Sequence, residues 1–452
     1  MKAIILAAGQ GTRMRSNLQK VLHPILGKPV VQYVVEAAFS AGIEDVTVVI
    51  GSDGDDISTE LGRVYPQIHF AIQEKPLGTG HAVQAGIGRI NDDDDVLILY
   101  GDMPLVTGEF ICELKQMYTA NNSDSVVVAA HQPQFSDFGR VYADANGFFQ
   151  EIIEYKDMKP DSPVVEWINT GIYTFRGGAL KHGLAKMGNN NSQREYYLTD
   201  VPKIIRDNGG DVRVLHSRAD LTMFTGINTQ AQLAEAVGHM RVRINDKHMS
   251  NGVRMIDPAT VYIDDTVEID AGVIIYPGVI LEGICKIATG AVMGANTHLQ
   301  NTVVGERAHI RQSVLVDAVV GASTEIGPFA YLRPGACVGE KCKIGCFVEV
   351  KNSNIANDSK VSHLAYVGDA DVGQKVNIGC GVITVNYDGK NKHRTIIEDH
   401  AFVGSNANLV APVKLGEGSF VAAGSTITKD LPSCALGIAR ARQEEKLNWV
   451  KS

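Results

Sequence analysis

The stretch Ile263-Asp264-Asp265-Thr266-Val267-Glu268-Ile269-Asp270-Ala271-Gly272-Val273-Ile274-Ile275 places an apolar residue at every sixth position, and the period continues through Leu281, Ile287, Met293 and Leu299. A helix face repeats every ~3.6 residues and a half-buried strand every ~2, so neither accounts for it. The register shifts and resumes at Val304, Ile310 and Val316. It then runs from Val320 through Ile326, Leu332, Val338 and Ile344 to Val350, and again from Val403 through Leu409 and Leu415 to Val421 and Ile427. Gly often follows the apolar residue, as in Val338-Gly339, Ile344-Gly345 and Ile378-Gly379. A hexapeptide unit with one inward side chain predicts short strands wound into a left-handed parallel β-helix, each coil burying its apolar residue against its neighbours.

Residues 1–228 read differently. Lys2 to Leu6 is a short apolar strand, Ala7 to Met14 a glycine-rich turn, Val30 to Ala41 a helix ending at Gly42, and Val46 to Ile50 a strand again. With further strands at Val96 to Tyr100 and Val126 to Ala130, the alternation predicts a doubly wound, Rossmann-like α/β sheet that binds ligands at the carboxyl ends of its strands. Between the halves, residues 229–250 form a helical linker with Leu233, Val237, Met240 and Ile244 on one face. The expected organisation is an α/β domain at 1–228, this linker, and a β-helix at 251–452 that ends in an arm. A chain of 452 residues, 44% hydrophobic, can bury the two cores this requires.

A net charge of −9 without a basic run argues against nucleic acid as a partner, so any phosphate recognition is local. The apolar run Ala3 to Ala8 is cut off by Gly9 and Gly11, too short for a signal peptide or a membrane span, and no membrane insertion is expected. Seven cysteines, an odd count, fit a reducing compartment better than a disulfide framework, which points to the cytoplasm. Cys337, Cys342 and Cys346 lie close together, but no Cys-x2-Cys pair with a matching second half exists, so zinc is not expected.

The turn Leu6-Ala7-Ala8-Gly9-Gln10-Gly11-Thr12-Arg13-Met14 lets backbone N–H groups approach a phosphate chain; Arg13 adds a multidentate donor and Lys20 a mobile charge. From its glycines alone it reads equally as a tight strand-to-helix turn, and it is neither a Walker A loop nor a GxGxxG fingerprint. Asp102 closes an apolar strand and stands at the ligand edge, where a carboxylate can hold Mg2+ against a triphosphate; alone, it would pass as a turn residue. Asn228 alone would pass as a helix N-cap.

This turn followed by Lys20 resembles the sugar-nucleotidyltransferase signature, except that the family usually has Pro where this chain has Gln19. Gln73, Leu77-Gly78-Thr79-Gly80, Tyr100-Gly101-Asp102, Gly139-Arg140, Glu154, Asn169-Thr170-Gly171 and Gln193 to Asp200 follow in the family's order. The resemblance implies attack of a sugar 1-phosphate oxygen on the α-phosphorus of UTP with loss of pyrophosphate, a reaction that needs alignment and charge neutralisation more than a base. It implies that Arg13, Lys20 and Mg2+ neutralise developing charge, with Asp102 and Asn228 as metal ligands. Leu6, Ala7, Ala8, Gly9, Tyr100 and Gly101 would complete the nucleotide pocket, Gln73, Gly78 and Thr79 would meet the uracil end, and Gly139, Glu154 and Asn169 would hold the sugar.

In the second half, Arg333 after Leu332 and Lys351 after Val350 are offset alike from inward positions and should project outward, able to grip one phosphate. His363 follows Val361 by two, and an imidazole, titrating near 6.5, can take a proton from an amine; a lone His is usually a surface or packed residue. Thr384 to His400 shows no hexad register, and a loop leaving a rigid coil is a place for function. Val361-Ser362-His363-Leu364-Ala365-Tyr366-Val367-Gly368-Asp369 resembles the catalytic strip of the hexapeptide acyltransferases, glucosamine-1-phosphate acetyltransferases above all. That resemblance implies Arg333 and Lys351 on the sugar phosphate, Tyr366 and Asn377 on the amino sugar, and His363 as general base for attack on the acetyl-CoA thioester. It implies Cys380, Asn386, Tyr387, Ser405, Ala423 and Arg440 along the CoA channel, with Cys380 in place of the Ala common in the family.

A bare coil is too narrow to enclose CoA, so such sites lie between subunits, and a homotrimer is expected, with Arg440 to Trp449 as an arm to an adjacent site. Together the halves resemble a bifunctional family that makes UDP-N-acetylglucosamine, a precursor of peptidoglycan and lipopolysaccharide, from glucosamine 1-phosphate, acetyl-CoA and UTP. Two other readings stay open: a single-activity nucleotidyltransferase whose β-helix serves only assembly, and a non-catalytic regulatory protein on the same folds. A scaffold needs hexads, but not Arg333, Lys351 and His363.

Overall fold

A computed structural model describes residues 1–133, 138–159, 163, 165–447 and 449–450. The chain divides into two compact units, Met1–Met240 and Arg241–Ser452, the division falling inside the Gln230–Ser250 helix.

In the first unit the central strands run in the order Val212–Ser217, Ser125–His131, Trp167–Arg176, Asp95–Tyr100, Lys2–Leu6, Val46–Gly51 and His69–Gln73. Alternate residues serve opposite cores. Ala3, Ile5, Val46 and Val48 pack with the Val30–Ser40 and Gly108–Asn121 helices, while Ile4, Leu6 and Val49 pack with the Thr79–Gly86 and Gly177–Lys186 helices. Covering on both faces explains why these strands read as continuous apolar runs. The Trp167–Arg176 strand is antiparallel to both neighbours, which the sequence alternation did not anticipate. The antiparallel pair Arg140–Ala143 and Phe149–Ile153 leads the chain back without a crossover helix, so the next strand enters reversed.

The second unit stacks its short strands into three parallel sheets of 11, 10 and 9 strands. Ile263 faces Leu281 and Leu281 faces Leu299, three hexads apart at each step. Leu299 then faces Leu315, two residues short of three hexads, and this shortened coil is the register shift seen in the sequence. Inward residues such as Leu299, Leu315, Leu332 and Val350 are fully buried. Between the apolar columns, buried hydroxyls satisfy backbone groups where the coil bends: Ser353 Oγ donates to Lys351 O at 2.8 Å and accepts from Ala370 N–H at 2.9 Å, and Ser359 does the same toward Gly373 O and Val376 N–H.

Inward threonines also correct the expected break at Thr384 to His400. Thr384 is an inward residue of the Ile383–Val385 strand and Thr395 one of the Thr395–Ile397 strand, both buried, so the excursion covers only 386–394. An apolar-only count misses these turns because threonine fills inward positions.

Leu332 lies between Leu315 and Val350 in its column. Leu332→Ala should lower the stability of the second unit by ~2–5 kcal/mol, measured by urea unfolding followed by hydrogen exchange of its strands; a loss below ~1 kcal/mol would mean the column is not close-packed.

Candidate active sites

Lys2–Leu6, Val46–Gly51, His69–Gln73 and Asp95–Tyr100 are parallel and in register, so the segments leaving them converge at one edge. There Leu6, Ala7, Ala8, Gly9, Lys20, Gln73, Gly78, Thr79, Tyr100 and Asp102 line a cleft of about 290 Å³. Gly78 has a φ of 114°, and a Cβ there would come 2.6 Å from Tyr196 O. Only glycine lets the Thr79–Gly86 helix begin so close to the segment that carries Tyr196, where Gly80 N–H donates to the same oxygen at 2.8 Å.

Lys20 Nζ lies 2.5 Å from Asp102 Oδ2 and 3.1 Å from Asn228 Oδ1. Asn228 arrives because Ile227 N–H donates to Asp102 O at 2.9 Å. Asp102 Oδ1 is buried and has no hydrogen-bond partner. Two oxygens already share one cationic group and a third, orphaned oxygen lies beside them, a hard donor set that suits Mg2+. Among the described residues no group of three or more His, Cys, Asp or Glu could cage a metal, so the remaining ligands would be water and phosphate oxygens, as is usual for this ion. Arg13 stands apart: it is exposed on the Thr12–Met14 turn and does not line the cleft. Gly101 packs behind the wall against Ala7 and Leu6.

A second cleft of about 400 Å³ shares Thr79, Tyr100 and Glu195 with the first and adds Glu154 and Asn169. The Gln193 to Asp200 segment supplies Gln193, Tyr197 and Thr199 to its wall. Gly139 leaves room for Glu154, whose Oε2 would lie 3.1 Å from a Cβ there, and Gly139 O accepts from Asn169 N–H at 2.8 Å. Burial pushes the Glu154 carboxyl up, the Thr199 hydroxyl opposes this, and the charges of Asp157 and Asp200 add to the rise.

In the second unit, Leu332 faces Val350 and Lys351 faces Gly368, which puts Arg333, Lys351 and Gly368 one above another on successive coils. Arg333 donates to Glu349 Oε1 at 2.7 Å. The Tyr366 ring lies across Gly368, where a Cβ would come 2.3 Å from its hydroxyl, and that hydroxyl is 3.4 Å from Asn386 Nδ2. Asp369, buried at the same bend, accepts from Asn352 Nδ2 at 2.6 Å and from Asn386 Nδ2. Burial alone would raise its carboxyl, but these amides and the ammoniums of Lys351 and Lys392 hold it below the usual range. Lys351 in turn drives Lys392 below its ordinary range. Two crowded ammoniums beside Arg333 make a place for a phosphate. Lys392 and Asp369 were in the motifs read from sequence, but nothing in their spacing marked them as members of this cluster.

His363 is exposed at the end of the Lys360–His363 strand, with Cys346 Sγ 3.4 Å from its Nδ1. Above it, backbone bonds stack the bends in turn: Gly381 N–H to Leu364 O, Asn406 N–H to Cys380 O and Gly424 N–H to Ser405 O. Cys380, Ser405 and Ala423 thus form one exposed ridge continuing from His363, and Arg440 joins it by donating to Ala423 O at 2.9 Å. Asn377 lies half-buried on the strand before Cys380, while Tyr387 is exposed on the 386–394 loop and donates to Gly389 O at 2.7 Å. A larger cleft of about 670 Å³ lies over the third sheet, lined by Asn354, Asp371, Ile396 and Glu398 among others; none of the predicted acetyl-transfer residues borders it.

Residues 3–169 match a family profile described as MobA-like NTP transferase domain, and residues 394–429 one described as bacterial transferase hexapeptide (six repeats). The chain is 46% identical to the bifunctional protein GlmU of Alkaliphilus oremlandii (strain OhILAs), covering 100% of this chain and 98% of that protein. It is 45% identical to that of Geobacillus sp. (strain WCH70), over 99% and 97%, and 44% identical to that of Clostridioides difficile (strain 630), over 100% and 97%.

A raised carboxyl holds its proton more tightly in the folded than in the unfolded state, so the stability it contributes is lost as pH rises through its folded pKa. Glu154→Gln should therefore raise the unfolding midpoint of the first unit at pH ~7, and the gain should vanish below about pH 4, where the native carboxyl is neutral in both states. Thermal unfolding followed by Trp167 fluorescence across pH measures this; a pH-independent gain would show that the effect is not on charge.

Proposed function

The chain belongs to the bifunctional GlmU family, and from that premise we propose how its residues divide the work of two transfers. The enzyme makes UDP-N-acetylglucosamine: it acetylates glucosamine 1-phosphate with acetyl-CoA, then transfers a uridylyl group from UTP to N-acetylglucosamine 1-phosphate, releasing pyrophosphate.

The uridylyl step belongs to the first unit. The UTP phosphates lie against the Leu6 to Gly9 backbone, and the uracil end lies toward Gln73, Gly78 and Thr79. The sugar 1-phosphate occupies the second cleft, held by Glu154 and Asn169, with Gly139 leaving room beside them. Its phosphate oxygen forms a bond to the α-phosphorus as the bond to the β-phosphate oxygen breaks. Lys20 neutralises charge as it shifts to the leaving pyrophosphate, and Arg13 reaches the same phosphates from the exposed turn. Asp102 and Asn228 would hold Mg2+, which neutralises and orients the triphosphate when bound. The observation that carries this reading is the convergence on one cleft of Leu6 to Gly9, Lys20, Thr79, Tyr100 and Asp102, which are scattered between positions 6 and 102.

The acetyl step belongs to the second unit. Arg333 and Lys351, with Lys392, grip the phosphate of glucosamine 1-phosphate; Tyr366 and Asn377 orient the sugar. His363 takes the amine proton as nitrogen attacks the thioester carbonyl and CoA departs as thiolate. CoA runs along the ridge of Cys380, Ser405, Ala423 and Arg440, with Asn386 and Tyr387 beside it. The ridge supports a homotrimer. Next to His363 the exposed Phe329, Phe347 and Leu364 form an apolar rib, the two rings stacked at 5.3 Å, and a second copy would cover the rib and close the CoA groove. No helix among the described residues is long and apolar enough to cross a membrane, and every cysteine is free, which supports a cytoplasmic enzyme.

His363→Ala should reduce acetyl transfer by at least ~10²-fold and spare uridylyl transfer, while Asp102→Ala should do the reverse. Chelation of Mg2+ should stop only the nucleotidyl step. Incubation with glucosamine 1-phosphate, acetyl-CoA, UTP and Mg2+, with products identified by mass, reads both steps together; loss of both activities from either substitution in a folded protein would contradict the division.

A further inference from the structure

The Trp167–Arg176 strand carries an irregularity beneath the second cleft. Asn169 faces Ala129 and Tyr173 faces Val127, so four steps along this strand match two along its neighbour. Four regular steps would hold the two residues roughly 13 Å apart, too far for a phenol to reach the amide. The bulge closes the gap, and the Tyr173 hydroxyl donates to Asn169 Oδ1 at 2.9 Å. Gly171 N–H, from a residue with φ of 82°, approaches the same oxygen at 3.2 Å. A backbone N–H can only donate, so the amide atom facing it is the oxygen. Tyr173 is fully buried, and burial, helped by Tyr100 and the Glu154 charge, drives its phenol well above the ordinary range, keeping it a donor. Turning the amide over would set its NH2 against the Gly171 N–H, which cannot accept, and would leave the buried phenol proton without its acceptor.

We propose that Tyr173 is a positioning residue of the uridylyl site. With Gly171 it locks the Asn169 amide so that its NH2 donates to an acceptor oxygen of the sugar 1-phosphate. This rests on the assignment of Asn169 to the sugar, and the experiment separates the two. Initial rates of uridylyl transfer are measured for the full chain with Mg2+, UTP and N-acetylglucosamine 1-phosphate. Asn169→Ala should raise KM for the sugar phosphate about tenfold. Tyr173→Phe, which keeps the buried ring, should raise the same KM about three- to tenfold, the effect of one hydrogen bond, with kcat and KM for UTP within about twofold. In the Asn169→Ala background Tyr173→Phe should add nothing. Asn169→Asp, whose oxygens still accept from Tyr173 and Gly171 but which offers no donor to the cleft, should raise KM with Tyr173 intact and guards against a folding defect in the phenylalanine variant. An unchanged sugar KM in Asn169→Ala would remove the assignment of Asn169 and the proposal with it. A raised KM in Asn169→Ala beside an unchanged one in Tyr173→Phe, or additive effects in the double variant, would overturn the positioning role alone.

Discussion

Strand pairing in fixed register, most of it parallel, underlies both halves of this chain. Pairing strands side by side in one direction forces their carboxyl ends onto one edge in the first unit, and forces equivalent positions of successive coils above one another in the second. Residues that the chain order separates become neighbours by that constraint alone. Leu6, Gln73 and Tyr100 meet because their strands end together, and Arg333 and Lys351 meet because Leu332 faces Val350.

The two units use the constraint in opposite ways. The sheet edge makes concave clefts, whose walls desolvate the groups that line them: burial raises Glu154 and Tyr100. On the coil the predicted acetyl-transfer residues stand along an outer ridge, where charges govern one another by proximity, as Lys351 and Lys392 do around Asp369. Desolvation suits phosphoryl transfer, where charge must be met by fixed groups in a dry place. A ridge suits a long, flexible donor that lies along the surface and is enclosed only when another surface covers it.

Much of this was legible in residues 1–452 read as a string. The hexad column announced the coil, and Leu6 to Met14 with Lys20 announced the turn that lines the first cleft, because both depend on spacing that survives without coordinates. What escaped had a physical cause in each case. Thr384 and Thr395 hid two strands because a buried threonine fills an inward position much as Val does, the Thr384 hydroxyl donating to Gly368 O at 2.9 Å. The reversed Trp167–Arg176 strand left no trace because both directions bury the same apolar faces.

By itself, then, the sequence determined the two architectures and singled out most of the residues that line the two clefts of the first unit, for periodicity and local turn chemistry are encoded between near neighbours. Only the tertiary structure decided which partners those groups take: Lys20 between Asp102 and Asn228, Lys392 against Lys351, and Tyr173 beneath Asn169. Such contacts depend on distances of a few tenths of an ångström set by strand register, a bulge and the absence of a side chain at Gly78 or Gly171, and no residue pattern carries that information until the chain has closed on itself.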